Sequence, residues 1–399
     1  MLRRSVQRAA PGSDKAHSMC ALRVLHLFSN SKWTGPAEPA HSLALGLAEA
    51  GVSVVFRSSG YTKGHHVNIV ARRGAERGLA PRTDLALGKH RSLWRDARDV
   101  RRLRALLGPE GFDLVHCHLL NDTRITARAL RGRVLPFVRS LYETDPDRMT
   151  PGEFALLRRA RRVFAFSRRM QAALVDRGLE KEQVVHVETA VDLERFRPGA
   201  DLTSHRCELG FREDDFVAGI VARVQPQRRF DLLLDVADAV ARECPRFRLV
   251  VIGRGSKLER TAREPARRRG LLDRVVFFPG YFEGEDYPAV LRALDVKLFL
   301  VPGTDGTARA VREALACGLP VVCTRRGMLP ELVRDGVTGH TLEESVPAFA
   351  GALLDLWRNP EARRRMGAAA RRDAEERFDL RHQVAAVRSV YRALLGETP

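Results

Sequence analysis

From Leu22 onward the chain alternates short apolar runs with longer stretches of helical periodicity, and after residue 213 the alternation starts again. LRVLHLFSN (22–30) reads as a strand. A loop with Gly35 leads into a helix carrying Leu43, Leu47 and Ala50 on one face, Gly51 stops it, and VSVVFRSSG (52–60) reads as the next strand. Further strands are expected at 112–120, 133–141, 162–167 and 183–191, with helices at 92–107 and 153–161. Strands separated by helices pair in parallel and are buried on both faces.

The second series has strands at 214–224, 247–255, 274–281, 295–303 and 320–327, with helices at 229–245 and about 307–317. The stretch 192–206, with Pro198, Gly199 and little periodicity, reads as the connection, and 344–395 as helical. The fold class is therefore α/β: two Rossmann-like units facing a cleft, where ligands commonly bind. The expected boundaries are 21–195 and 200–377. Residues 1–20 are basic but lack an apolar core, so they read as a disordered leader, with Met19 as an alternative start.

A chain of 399 residues, 44% hydrophobic and 29% charged, has material for two such domains and is not a disordered composition. Six cysteines without a CxxC pair read as reduced thiols of a cytoplasmic protein, not as a disulfide scaffold or zinc site. No apolar run reaches the roughly 18 residues that span a bilayer. The net charge is +19, and it is uneven: residues 1–200 hold 35 basic and 20 acidic residues, residues 201–399 hold 33 and 29. Nucleic acid, a phosphorylated substrate or an anionic membrane surface would each suit the basic half, and Arg-rich codon usage would also produce it. RRARRVFAFSRRMQ (158–171), with six Arg, is its densest run. No recognition motif supports nucleic acid, and aromatic residues are only 7%.

The stretch 305–340 carries the most chemistry. A strand ends at Val301, and the chain turns through Pro302, Gly303 and Gly306 into a helix, whose N-terminal N–H groups suit an anion such as phosphate. Asp305 and Glu313 suit sugar or ribose hydroxyls, since carboxylates accept several hydrogen bonds; a helix cap and a solvated face are the alternatives. Arg223 ends a strand, and Arg228 or Arg229 opens the next helix. Two guanidiniums there would clamp a diphosphate. His116 and His118 alternate along one strand and share a face at its end, a position open either to cleft contact or to packing. A metal site is disfavoured because Cys117 points the other way.

Several of these motifs together resemble family 4 (group 1) of the retaining nucleotide-sugar glycosyltransferases, which have the GT-B fold. Asp305-x7-Glu313 followed by ALACGLPVV is similar to that family's acidic pair and helix. LPELVRDGVTGH (329–340), VARVQPQRRFDLLL (221–234), LVVIGRGSKL (249–258) and VETAVDLERFRP (187–198) resemble its other motifs in order. WTGPAEPAHSLALGLAEAGVSV, FDLVHCH and RRVFAFSRRM extend a looser likeness, so that it covers about residues 22–395. The resemblance implies catalytic roles for Arg223, Arg228, Asp305 and Glu313. Glu313 would hold ribose hydroxyls, the arginines the diphosphate, and Asp305 the sugar. Donor-binding positions would be Gly35, Gly253, Gly306, Thr307 and Ala308, and acceptor-side candidates His116, His118 and Tyr142. It also implies no metal and no cofactor beside the nucleotide-sugar co-substrate, and a last helix, about 378–399, packed back on the first domain.

The implied partners are that donor and a glycan or lipid-linked acceptor, with cell-surface polysaccharide or glycolipid synthesis as the setting. The enzyme would be cytoplasmic, with an anionic membrane surface as a further partner of the basic half. The sequence departs from the family pattern at Asp305 for Glu, Arg228 for Lys, Thr189-Ala190 for Asn-Gly, Pro36 for Gly, and Tyr142 or Glu143 for His. These departures fit an unusual substrate or a weakly active, non-catalytic nucleotide-sugar-binding homologue. A sugar-nucleotide epimerase of the same architecture is the other alternative.

Overall fold

The computed structural model describes residues 22–62, 67–142, 146–199, 206–301 and 308–396. The expected leader, Glu143, and the site residues Asp305, Gly306 and Thr307 lie outside the described residues. The first sheet contains β1 (Arg23–Phe28), β2 (Ser53–Ser58), β3 (Leu114–Cys117), β4 (Phe137–Leu141), β5 (Arg162–Ala165) and β6 (Val184–His186), in the order β2-β1-β3-β4-β5-β6. The second contains β7 (Phe216–Val221), β8 (Phe247–Ile252), β9 (Val276–Gly280), β10 (Val296–Phe299), β11 (Val321–Thr324) and β12 (Gly339–Leu342), in the order β12-β11-β10-β7-β8-β9. Every pairing is parallel. Each sheet therefore has a switch point, between β1 and β3 and between β7 and β10, where the chain leaves a strand in opposite directions. Crevices form at such points.

Helices cover both faces. In chain order they are α1 (Ala37–Glu49), α2 (Ile69–Glu76), α3 (Leu93–Leu106), α4 (Leu120–Ala129), α5 (Pro151–Leu157) and α6 (Arg168–Asp176) on the first unit. The second unit has α7 (Phe230–Glu243), α8 (Glu264–Arg268), α9 (Asp286–Arg292), α10 (Arg309–Ala316), α11 (Leu329–Leu332), α12 (Val346–Arg358) and α13 (Pro360–Arg377). The last helix, α14 (Leu380–Leu394), buries Val384, Val387 and Tyr391 with the core of the first unit. It approaches α1 closely at Gly46, where an added Cβ would stand 2.7 Å from the Val384 side chain. No helix among the described residues is long and apolar enough to cross a membrane.

The alternation read from the sequence is observed with shifted ends and with one further strand, β12, that the sequence reading did not assign. The strand expected at 133–141 starts only at Phe137, because Pro136 has no N–H and contributes only its carbonyl, which accepts from Val115 N at 3.1 Å. The run 112–120 holds a four-residue strand, and α4 begins at Leu120 because the buried Asp122 carboxylate accepts the Leu119 N–H and opens a helix. Helices α2, α4 and α6 are short, and the sequence reading assigned none of them.

Candidate functional site at the cleft between the sheets

Glu313 lies one turn into α10, the helix that follows β10. On a solvated face it would be exposed, yet it is only 3% accessible. Its Oε2 accepts the Tyr287 hydroxyl at 2.7 Å, and its Oε1 lies 3.3 Å from Arg309 Nε, one turn earlier on the same helix. Burial pushes its carboxyl above the usual range, against the opposing pull of Arg309. Arg309 also reaches across the cleft to Glu38 on α1, at 2.5 Å, and Glu38 pairs in turn with Arg77 at 3.1 Å. Burial raises Glu38, but Arg309 and Arg77 outweigh it and hold the carboxyl below its ordinary value. A cavity of about 610 Å³ opens between the units here, bordered by Glu38, Ser42, Arg77, Asp192, Arg309 and Glu313 among others.

Arg223 follows the end of β7 and is exposed. Arg228 donates Nη1 to the Val301 carbonyl at 2.5 Å, just beyond β10, whereas Arg229 turns away to Glu344 at 2.6 Å. Of the two arginines offered by the sequence, Arg228 is therefore the one at the strand ends. Gly253 follows β8 with φ of +152°, and a Cβ there would stand 2.1 Å from the Ala222 carbonyl, so the chain passes β7 with no room for a side chain. The ends of β10, β7 and β8 are adjacent, and they bring Arg228, Arg223 and Gly253 to one edge of the second sheet. Neither arginine borders the 610 Å³ cavity. Ala308 is buried at the start of α10 with φ of 43°, an uncommon conformation for a residue with a Cβ. Gly35 stands in the turn before α1, where Ala37 N bonds the Thr34 carbonyl at 2.9 Å.

The acceptor-side expectation for His116, His118 and Tyr142 is corrected: all three are fully buried. His116 pairs in register with His26 on β1, so both rings project from the same face of the sheet, under α14. His116 Nε2 lies 2.8 Å from Ser140 Oγ and its Nδ1 2.5 Å from the Tyr391 hydroxyl. That hydroxyl is 3.5 Å from His26 Nε2, and His26 Nδ1 is 2.9 Å from His118 Nε2. Tyr142 stacks between His118 and Phe166. Burial keeps the rings neutral, with His26 lowered to about 3 and the other two well below 6.5. Their ring nitrogens lie within 4.8 Å of one another, as metal ligands would. His116 is held by Ser140 and Tyr391 and His118 by His26, in a buried hydrogen-bonded chain that leaves His118 Nδ1 without a partner among the described residues. Sequence reasoning placed His116 and His118 by strand alternation, with packing as the alternative, and expected the last helix on this domain, but not that it covers the face that carries these rings. Cys117 does point to the other face, toward Thr126.

Sequence reasoning also missed Tyr287, Arg309, Glu38 and Lys297. Lys297 is fully buried on β10, and its Nζ has no hydrogen-bond partner among the described residues. Burial lowers it to about 7, with Glu313 opposing. A lysine inside an apolar strand was the available signal. Two further contacts join the units: the Glu331 carboxylate on α11 accepts the Arg168 and Arg169 amides at the start of α6, at 2.6 and 2.8 Å, and Glu188 pairs with Arg312 at 3.1 Å and Arg377 at 2.8 Å.

Residues 202–373 match the family described as Glycosyl transferases group 1, and residues 35–195 match Glycosyltransferase Family 4. A D-inositol 3-phosphate glycosyltransferase of Saccharomonospora viridis is 31% identical over 336 residues, covering 74% of each chain. One of Streptomyces scabiei is 29% identical over 313 residues, covering 72% of this chain and 70% of its own. The fold is that of Anabaena Alr3699/HepE, solved in complex with UDP, with a TM-score of 0.79 at 19% identity over 93% of this chain and 100% of the other. The same protein has been solved with UDP-glucose, at a TM-score of 0.75 and 20% identity over 92% and 100%. With two Rossmann-like domains and family matches over both of them, the chain belongs to the group 1 (family 4) glycosyltransferases of the GT-B fold.

Proposed function

We propose that the protein transfers a hexosyl group from a nucleotide diphosphate sugar to a glycan or lipid-linked acceptor, with retention of anomeric configuration and without a metal. The observation that carries the reading is Glu313: a buried carboxylate at the wall of the cleft, on the helix after β10, beside the strand ends that present Arg223 and Arg228. In this reading Glu313 accepts the ribose hydroxyls. Gly253 gives the donor close access to backbone, as do Gly35 and Ala308 at the start of α10, and Gly306 and Thr307 are assigned the same role. Asp305 contacts the sugar. In transfer the bond from the anomeric carbon to the phosphate oxygen breaks, the acceptor oxygen bonds on the same face, and the acceptor's hydroxyl proton passes to the departing diphosphate. Arg223 and Arg228 stabilise the charge left on the diphosphate, where fixed guanidiniums need no reorganisation.

Anabaena Alr3699/HepE, whose fold this chain shares, binds UDP and UDP-glucose, which supports a uridine donor as the first to test. The curated relatives make D-inositol 3-phosphate the first acceptor to test. The setting proposed is the cytoplasm, in the synthesis of cell-surface polysaccharide or glycolipid.

The test incubates the protein with a panel of nucleotide sugars and acceptors and follows nucleotide release and the anomeric signal of the product by NMR. Glu313→Gln is expected to lower kcat/KM by about 100-fold with the fold intact, the size expected for losing one strong transition-state contact. If no donor binds and Glu313→Gln changes nothing, the reading is wrong. Donor binding without transfer to any acceptor would favour a non-catalytic homologue, a reading motivated by the departures at Asp305, Pro36 and Tyr142. Interconversion of the sugar nucleotide itself would favour the epimerase.

A further inference from the structure

The positive excess of the first domain is concentrated by the way α3 and α4 turn their acids inward. Asp96, Asp99 and Asp122 are buried, and they accept backbone N–H bonds from Ser92, from Ala86 and Leu87, and from Ser29 and Leu119. Their arginines are left on the surface. Arg91, Arg124, Arg128, Arg131 and Arg159 line one concavity of about 340 Å³ between α4 and α5. Among the described residues, the one carboxylate within ion-pair distance of these five is Glu153, 3.9 Å from Arg124.

Both ends of this basic stripe carry apolar side chains that ordinary surfaces cover. Leu93 and Trp94, just after Arg91 on the first turn of α3, are 68% and 89% exposed. Val134, just after Arg131, is 100% exposed. The dense run at 158–171 is not this surface, apart from Arg159. Arg158 stacks on Phe154 at 5.3 Å, and the amides of Arg168 and Arg169 bind Glu331 across the domain boundary.

We propose that this face docks on an anionic phospholipid bilayer, with the arginine pocket receiving a lipid phosphate and Trp94 and Leu93 entering the interfacial layer. Guanidinium pairs phosphate oxygens with two parallel bonds, so a concave set of five suits a headgroup. Indole settles at the boundary between headgroups and acyl chains, and a neighbouring leucine adds apolar area. A nucleic-acid strand would need stacking platforms along the groove, and the pocket lining has no aromatic residue. None of these residues borders the cleft, so the inference goes beyond the transfer reaction and its failure leaves that reading standing.

The test is co-sedimentation and tryptophan fluorescence of the full chain with phosphatidylcholine vesicles, with and without phosphatidylglycerol, at low and high salt. Binding to the anionic vesicles alone, weakened by salt, is expected, together with a blue shift absent from Trp94→Phe. Arg128→Glu/Arg131→Glu should weaken binding by about ten-fold or more, and Trp94→Ala should weaken it less, both with an unchanged melting temperature. Equal binding to neutral vesicles, no binding, or binding untouched by the double reversal would overturn the proposal. So would tripolyphosphate raising the melting temperature through these arginines while vesicles do not bind, which would make the pocket a soluble-anion site.

Discussion

The two sheets carry buried ionisable side chains near the same point of the same topology and treat them in opposite ways. Beside the β1/β3 switch point, His26, His116 and His118 are sealed under α14 and neutral, away from the cleft cavity, with His116 tied to Ser140 and Tyr391 and His118 to His26, though His118 Nδ1 has no partner among the described residues. Beside the β7/β10 switch point, Glu313 stands at the wall of an open cleft and Lys297 lies buried without a hydrogen-bond partner among the described residues. A group satisfied within the protein is structural. One left partly unsatisfied at an opening is available to a ligand, at a cost in stability. The comparison shows that residue chemistry alone does not mark a site, because what covers the residue decides.

The sharpest way to break this comparison is Tyr391→Ala. It removes a fully buried ring and leaves His116 Nδ1 without its partner, so a loss of about 3–5 kcal/mol is expected in urea unfolding of the full chain. Donor binding measured below the unfolding transition should be unchanged; if it is lost and stability is not, the histidines are a site after all. On the other side, Lys297→Met is expected to stabilise by about 2 kcal/mol at neutral pH, because a buried amine loses its hydration. Its folded pKa of about 7 lies below the unfolded value, so the penalty is complete below about pH 7 and fades as pH rises from there toward 10.5. A gain that persists at pH 10 would show that packing, not charge, causes it.

Acid should separate the sheets further. The folded pKa of each of the three histidines lies below 6.5, with His26 at about 3, so their stabilising contribution is complete above pH 6.5 and is lost as pH falls. Each contributes about 1.4 kcal/mol per pH unit below 6.5 until its own folded pKa is reached. Asp122, raised to about 6 by burial, acts in the opposite sense and reduces the slope between about pH 6 and 3.8. The urea midpoint should therefore fall from pH 6.5 downward, and less steeply in His118→Asn. The smallest effect is at the helix that opens the cleft. Ala308→Gly relieves a positive φ and should raise the melting temperature by an amount equivalent to up to about 1 kcal/mol. A fall instead would show that the Ala308 methyl packs more than it strains.

Much of the fold was legible in the sequence. Strands such as FRLVVI are apolar on both faces, and helices such as FDLLLDVADAVARE repeat their apolar residues at helical spacing. Buried parallel sheets and their covering helices therefore announce themselves locally. The pairing of Arg228 with the strand ends was half legible: two adjacent arginines were candidates, and only the Val301 carbonyl and Glu344 distinguish them. Tyr287 and Glu38 were not legible as site residues. Tyr287 and Glu38 meet Glu313 and Arg309 from separate elements, which no local spacing records, whereas Arg309 stands one turn before Glu313 on the same helix and was overlooked.

The sequence by itself determined the two α/β series, the restart between them, the excess of positive charge in the first half and the Asp305-x7-Glu313 spacing, since each is a property of neighbouring residues. The tertiary structure decided which of these face solvent, the core or the cleft. It buried His116, His118 and Tyr142 with the help of a helix more than two hundred residues downstream. It placed Glu313 in a wall instead of on a surface, and it gathered five arginines from four segments into one pocket. Burial depends on what packs from elsewhere in the chain; it keeps the histidines neutral, raises Glu313, and decides which groups a ligand can reach.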